Sequence, residues 1–74
     1  MKKTDLTIKV GAEIRRLRQA QGHSQEGFAD DCGIHRTYMG SIERGETAVS
    51  IEMAKRVVAK LGITLGQFFT LIEE

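Results

Sequence analysis

Six residues that fall on the outer side of one short predicted helix carry the chemistry of this chain: His35, Arg36, Thr37, Gly40, Ser41 and Arg44. Guanidinium, imidazole and hydroxyl groups in one row, around a glycine that lets another surface come close, suit a partner rich in hydrogen-bond acceptors. They do not suit bond-breaking. Neither Cys32 nor the two histidines has a partner at a catalytic or metal-ligand spacing, so no enzyme, cofactor or metal site is expected. Cys32 instead occupies an apolar position and reads as a small core residue.

The elements that must hold those groups lie within Gln25–Arg44, QEGFADDCGIHRTYMGSIER. Phe28, Cys32, Ile34, Met39 and Ile42 are the apolar positions that close two short helices on each other. Steeply crossing helices need a small side chain where they touch, which suits Ala29. The chain must also reverse through a left-handed backbone state, which suits Gly33. Together these are the sequence form of a helix-turn-helix, whose usual partner is the major groove of DNA.

The rest of the 74 residues reads as helix throughout. Leu6, Val10, Ile14 and Leu17 mark one face of a first helix over 5–21, with Lys9, Arg15, Arg16 and Arg18 off that face and Gly22 closing it. Ser24 caps a second helix over 25–31, whose third position, Gly27, lacks the acidic or amide side chain of a capping box. A third helix covers 36–43. Ser50 caps a fourth over 51–61, with Ile51, Ala54, Val58 and Leu61 as its inner face. Thr64 and Gln67 form a capping box for a fifth over 65–72. The expected fold is therefore all-α, one domain over 1–74, a compact five-helix bundle around a helix-turn-helix.

Composition bounds the partners. The net charge is only +1, but residues 1–22 carry six basic and two acidic side chains, whereas 23–50 carry two basic and five acidic. A near-neutral sum thus hides a positive first helix. No apolar run is long enough to span a membrane, Met1-Lys2-Lys3 is not followed by the apolar core of a signal peptide, and one cysteine forms no disulfide framework. A cytoplasmic chain acting at the nucleoid of a bacterium or phage-infected cell is expected.

RTYMGSIERGE, preceded by SQEGFADDCGIH and followed by Ser50 and the Gly62–Thr64 break, resembles the Cro/lambda-repressor type of helix-turn-helix domain over about residues 10–69. The short length and the Arg-Thr-Tyr opening of the third helix are most similar to the controller proteins of restriction–modification systems. Small phage or transposon repressors and antitoxin-type interaction modules are the alternatives. The resemblance implies a sequence-specific transcriptional regulator, repressor or activator, on double-stranded DNA. Arg36 and Thr37 then enter the groove, where an arginine donates two parallel bonds to guanine O6 and N7, worth about 1–3 kcal/mol of discrimination. Gln25, with Ser24 beside it, anchors a phosphate at a helix N-terminus. Tyr38 sends its phenol to a phosphate while its ring packs, and Ser41 meets a base or phosphate. Gly40 permits close approach. Arg44 either contacts DNA or pairs with a carboxylate such as Glu26, and His35 either caps its helix or faces the groove. Asp30 and Asp31 read as a solvated face, with RNA polymerase as the alternative partner.

Leu65, Phe68, Phe69, Leu71 and Ile72 crowd the last ten residues, more apolar area than one face of so short a helix can hide. They are assigned to a homodimer interface, Leu65, Phe68 and Ile72 also being able to complete the core. Leu6 and Ile8 folding across them is the competing arrangement. A two-fold dimer implies a palindromic operator.

Overall fold

Each helix of this chain begins on a side chain suited to the task, and each of the first four is followed within two residues by a glycine of positive φ. The computed structural model describes residues 4–73, in the order α1 (Asp5–Ala20), α2 (Gln25–Cys32), α3 (Arg36–Glu43), α4 (Ile51–Lys60) and α5 (Leu65–Glu73), with no strand among them. The boundaries lie within one residue of those expected from capping and periodicity. Ser24 Oγ and Ser50 Oγ accept from the N–H groups of Gly27 and Met53 at 3.0 and 3.1 Å, satisfying donors left open at the starts of α2 and α4. Thr64 and Gln67 form the reciprocal box at the start of α5. Thr4 and Thr7 form one on α1, where no cap had been assigned.

The turn between α2 and α3 takes the form anticipated for it. Gly33 sits at φ 74°, ψ 28°, and its N–H donates back to Asp30. A residue with a Cβ is strained in that region, so the sharp reversal depends on glycine.

Ile14, Phe28, Met39, Ile42, Val57, Val58 and Phe68 form the fully buried centre, to which every helix contributes. The inner face of α1 is Val10, Gly11, Ile14 and Arg18; Leu6 is exposed and Leu17 half-buried. This corrects the expected stripe, and it turns Arg18 inward. Gly11 explains how α1 approaches α3. A Cβ on Gly11 would overlap the Ile42 carbonyl oxygen and stand 2.9 Å from that of Glu43. On α4 the inner residues are Ala54, Val57 and Val58, while Ile51 is exposed. The ends are stitched by longer side chains. Gln21 Nε2 donates to the Leu61 carbonyl at 2.8 Å, tying α1 to α4, and Arg56 reaches the Cys32 carbonyl at the end of α2.

Candidate nucleic-acid interface

α3 divides by residue type into two sides. Met39, Ile42 and Glu43 face inward; Arg36, Thr37 and the C-cap Arg44 are exposed, with Ser41 half-buried beside them and Gly40 covered on the outer side by neighbouring side chains. Beneath the inner side lies a buried ionic knot. Arg18 donates twice to the Glu43 carboxylate, from Nε at 2.7 Å and Nη2 at 3.0 Å, and its Nη1 donates to the His23 carbonyl at 2.9 Å. Gln25 Nε2 adds a fourth bond, to Glu43 Oε1 at 3.1 Å. Two ions removed from water are tolerable only when paired and hydrogen-bonded in this way. The knot joins α1, the start of α2 and the end of α3, so it fixes the angle at which α3 is presented. Neither Arg18 nor the Glu43 pairing had been expected.

The outer side is wet and shallow. Gln25, Arg36, Thr37, Gly40 and Arg44 line one cavity of about 270 Å³. Gly40 forms its floor: a Cβ there would lie 3.0 Å from Arg44 Nη1 and 3.5 Å from the Gln25 side-chain oxygen. The glycine therefore makes room for two polar side chains to lie across the helix, at a cost of about 0.5–1 kcal/mol in helix propensity. Four other expected contact residues stand around this cavity without lining it. Ser24 is exposed and engaged in capping, and His35 caps α3, its Nδ1 accepting from the Thr37 N–H at 3.0 Å. Accepting there leaves the proton of a neutral imidazole on Nε2. Ser41 Oγ donates to the Thr37 carbonyl at 3.3 Å, and the half-buried Tyr38 ring packs against the core.

The charges on this face are arranged differently from expectation. Arg44 pairs with Glu46, donating from Nε to Oε2 at 3.0 Å and from Nη2 to Oε1 at 3.1 Å. That hydrogen-bonded carboxylate pushes the Arg44 pKa further up, so it stays cationic throughout. Glu26 instead lies near Arg36, at a loose 3.8 Å with both side chains well exposed. Glu26, offered from the sequence as an example of a carboxylate for Arg44, is placed by α2 toward the opposite end of α3. Cys32 is buried at 1% exposure, and burial, with Asp31 adding to it, pushes its thiol pKa up. Among the described residues no cluster of ligand side chains could hold a metal ion, and no helix is long and apolar enough to cross a membrane.

The expected interface on α5 splits in two. Phe68 is wholly buried and Ile72 nearly so, at 0% and 8% exposure, so both belong to the protomer core and have little surface left for a partner. Leu65 and Phe69 are half-buried, and Leu71 is exposed. Leu6 does approach Phe69, sharing with Val49 and Ile51 the wall of an apolar cavity of about 210 Å³, but it remains 57% exposed and does not cover that face. Ile8 packs elsewhere, against the backbone of Gly45.

Comparison with known proteins agrees with this geometry. The model of a helix-turn-helix family matches residues 14–68. Control protein C.MunI of a Mycoplasma species is 39% identical over 71 residues, 95% of this chain and 96% of the relative. The restriction–modification controller protein C.AhdI of Aeromonas hydrophila superposes with a TM-score of 0.84 at 35% identity, over 89% of this chain and all of that one. The controller protein C.Esp1396I, solved as a tetramer on its natural 35-base-pair operator, gives 0.87 at 27% identity, over 96% of this chain and 93% of that one.

Proposed function

Because the chain belongs to the helix-turn-helix family of the Cro/lambda-repressor type, we propose that it is a transcriptional regulator that binds a palindromic operator as a homodimer, in the manner of a restriction–modification controller protein. The observation that carries this reading is the division of α3. Its inner residues are committed to the core and the ionic knot, and Arg36 and Thr37 stand exposed at the end that a helix-turn-helix inserts into the groove. Arg36 is held only loosely, by Glu26 at 3.8 Å, before it meets a guanine edge. Thr37 offers its methyl to a thymine methyl.

The surrounding groups orient the helix on the backbone. Gln25 and Ser24 stand at the start of α2, where open N–H groups favour a phosphate. Tyr38 and Ser41 supply hydroxyls from the flank of α3, and His35 presents Nε2–H beside its N-terminus. Such contacts position the protein without reading sequence. Gly40 serves this face by leaving room for the Arg44 and Gln25 side chains, which cover it in place of the close approach by a groove wall expected from the sequence.

The partner subunit docks on the exposed apolar surface around Leu71, Phe69 and Leu65 of α5. Structures of the similar controller protein C.Esp1396I, as a tetramer on its natural operator and on a 25-base-pair operator site, support oligomeric assembly on DNA. A two-fold dimer sets its two α3 helices about 34 Å apart, one turn of B-DNA. Asp30 and Asp31, exposed on α2, form a solvated acidic face, with RNA polymerase as the alternative partner. The chain then acts at the nucleoid, in the cytoplasm.

Selection from random duplex DNA near physiological salt tests the proposal. Enrichment of a palindrome with half-sites about ten base pairs apart supports it. Absence of any enriched sequence overturns it.

A further inference from the structure

The cavity beside Gly40 contains one arginine whose orientation is fixed and one whose orientation is not. Arg36 lies loosely near Glu26, 3.8 Å away. Arg44, although 58% exposed, is held by two hydrogen bonds to one carboxylate. Which nitrogens those bonds use decides what remains. A guanidinium has five N–H groups in a rigid plane. Glu46 takes the pair on its side, Nε–H and one Nη2–H. The pair on its end, one Nη1–H and the other Nη2–H, stays parallel and has no hydrogen-bond partner among the described residues. Nη1 passes over Gly40 and lies near the Gln25 carboxamide, on the wall of the cavity.

We infer that Glu46 is a positioning residue: it holds Arg44 so that the free end of the guanidinium forms a ready-made seat for a single DNA backbone phosphate. This rests on the DNA-binding reading above. Arg44 is the C-cap of α3, at the opposite end of the helix from Arg36, and Gln25 begins α2. The seat therefore lies at the groove margin, where the backbone runs, and not over the base edges. A carboxylate beside a phosphate is at first sight unfavourable. Fixing a long, exposed side chain beforehand removes the entropy that binding would otherwise cost, and a paired end-on arginine–phosphate contact is among the stronger hydrogen-bonded pairs.

The sign of one substitution separates this role from simple competition. Removal of a negative charge near DNA should tighten binding if Glu46 only competes for Arg44. The test measures wild type, Glu46→Gln, Arg44→Ala and the double variant on the selected operator by fluorescence anisotropy at several salt concentrations. Thermal melting of each serves as the control for folding. Glu46→Gln is expected to weaken binding about fivefold at unchanged melting temperature. Arg44→Ala should weaken it about tenfold on every sequence and lower the salt slope by about 1. The double variant should bind no worse than Arg44→Ala. Glu46→Gln binding as tightly as wild type, or more tightly, overturns the positioning role while leaving the DNA-binding reading intact. Failure of wild type to bind any duplex overturns both.

Discussion

Glu43 and Arg44 are neighbours in sequence, and they sit in opposite electrical surroundings. The Glu43 side chain is 3% exposed and bound on both oxygens; Arg44 is 58% exposed and bound on one side only. The inner pair, Arg18–Glu43, is inaccessible to an incoming ligand. Its energy goes into joining three helices. The outer pair, Arg44–Glu46, contributes little to folding, because exposed ion pairs are worth about 0–1 kcal/mol. It decides instead which N–H groups face outward. One residue step along α3 therefore separates the groups that set the shape of the helix-turn-helix from those that use it.

Substitutions that break this contrast should fall in a clear order. Arg18→Ala is expected to cost the most, about 3–5 kcal/mol of stability, because it leaves Glu43 charged, buried and deprived of its cation. Urea denaturation at pH 7 measures it, and a loss below about 1 kcal/mol would mean that water replaces the guanidinium. Gly11→Ala follows, at about 1–3 kcal/mol or more, since the added methyl meets backbone carbonyl oxygens that cannot rotate away. Leu71→Ser should leave the protomer folded and raise the dimer dissociation constant about tenfold, read by sedimentation equilibrium. The smallest effect concerns Cys32. Its pKa is raised in the fold by burial, so the stabilisation is fully present below the ordinary thiol value of 9.0 and is lost as pH rises through the folded value. Wild type should lose more stability than Cys32→Ala between pH 8 and about 11, followed by denaturant titration at each pH.

The sequence carried most of the scaffold, because its signals are local. Ser24, Ser50 and the Thr64–Gln67 pair sit where open N–H groups need acceptors, and Gly33 sits where the chain reverses. Those choices are fixed within four residues. The knot is not local: Arg18 and Glu43 lie 25 residues apart. A stripe of apolar residues along α1 passes over it, since Gly11 and Arg18 are the residue types such a stripe omits. Gly11, Ile14 and Arg18 nonetheless follow each other at helical spacings of three and four. A glycine and an arginine in register with an isoleucine were the available signal. The partner of Arg44 was missed for a related reason. Glu46 lies two residues on, beyond the end of α3, where helical spacing no longer tells which way a side chain turns. Phe68 shows the same limit on α5. Five apolar residues in the last helix imply a second partner surface, and the sequence allowed Phe68 and Ile72 to complete the core, but only the packed cluster shows that the protomer keeps both.

If the outer side of α3 reads DNA while its inner side holds the fold, Arg36→Ala should damage recognition and leave the fold untouched. Affinity for the selected operator and for copies with each guanine replaced would be measured beside thermal unfolding. A loss of about 1–3 kcal/mol in binding is expected, with preference for one guanine per half-site abolished and the melting temperature unchanged. Undiminished affinity and guanine preference in the variant, with the fold intact, would contradict this division of α3.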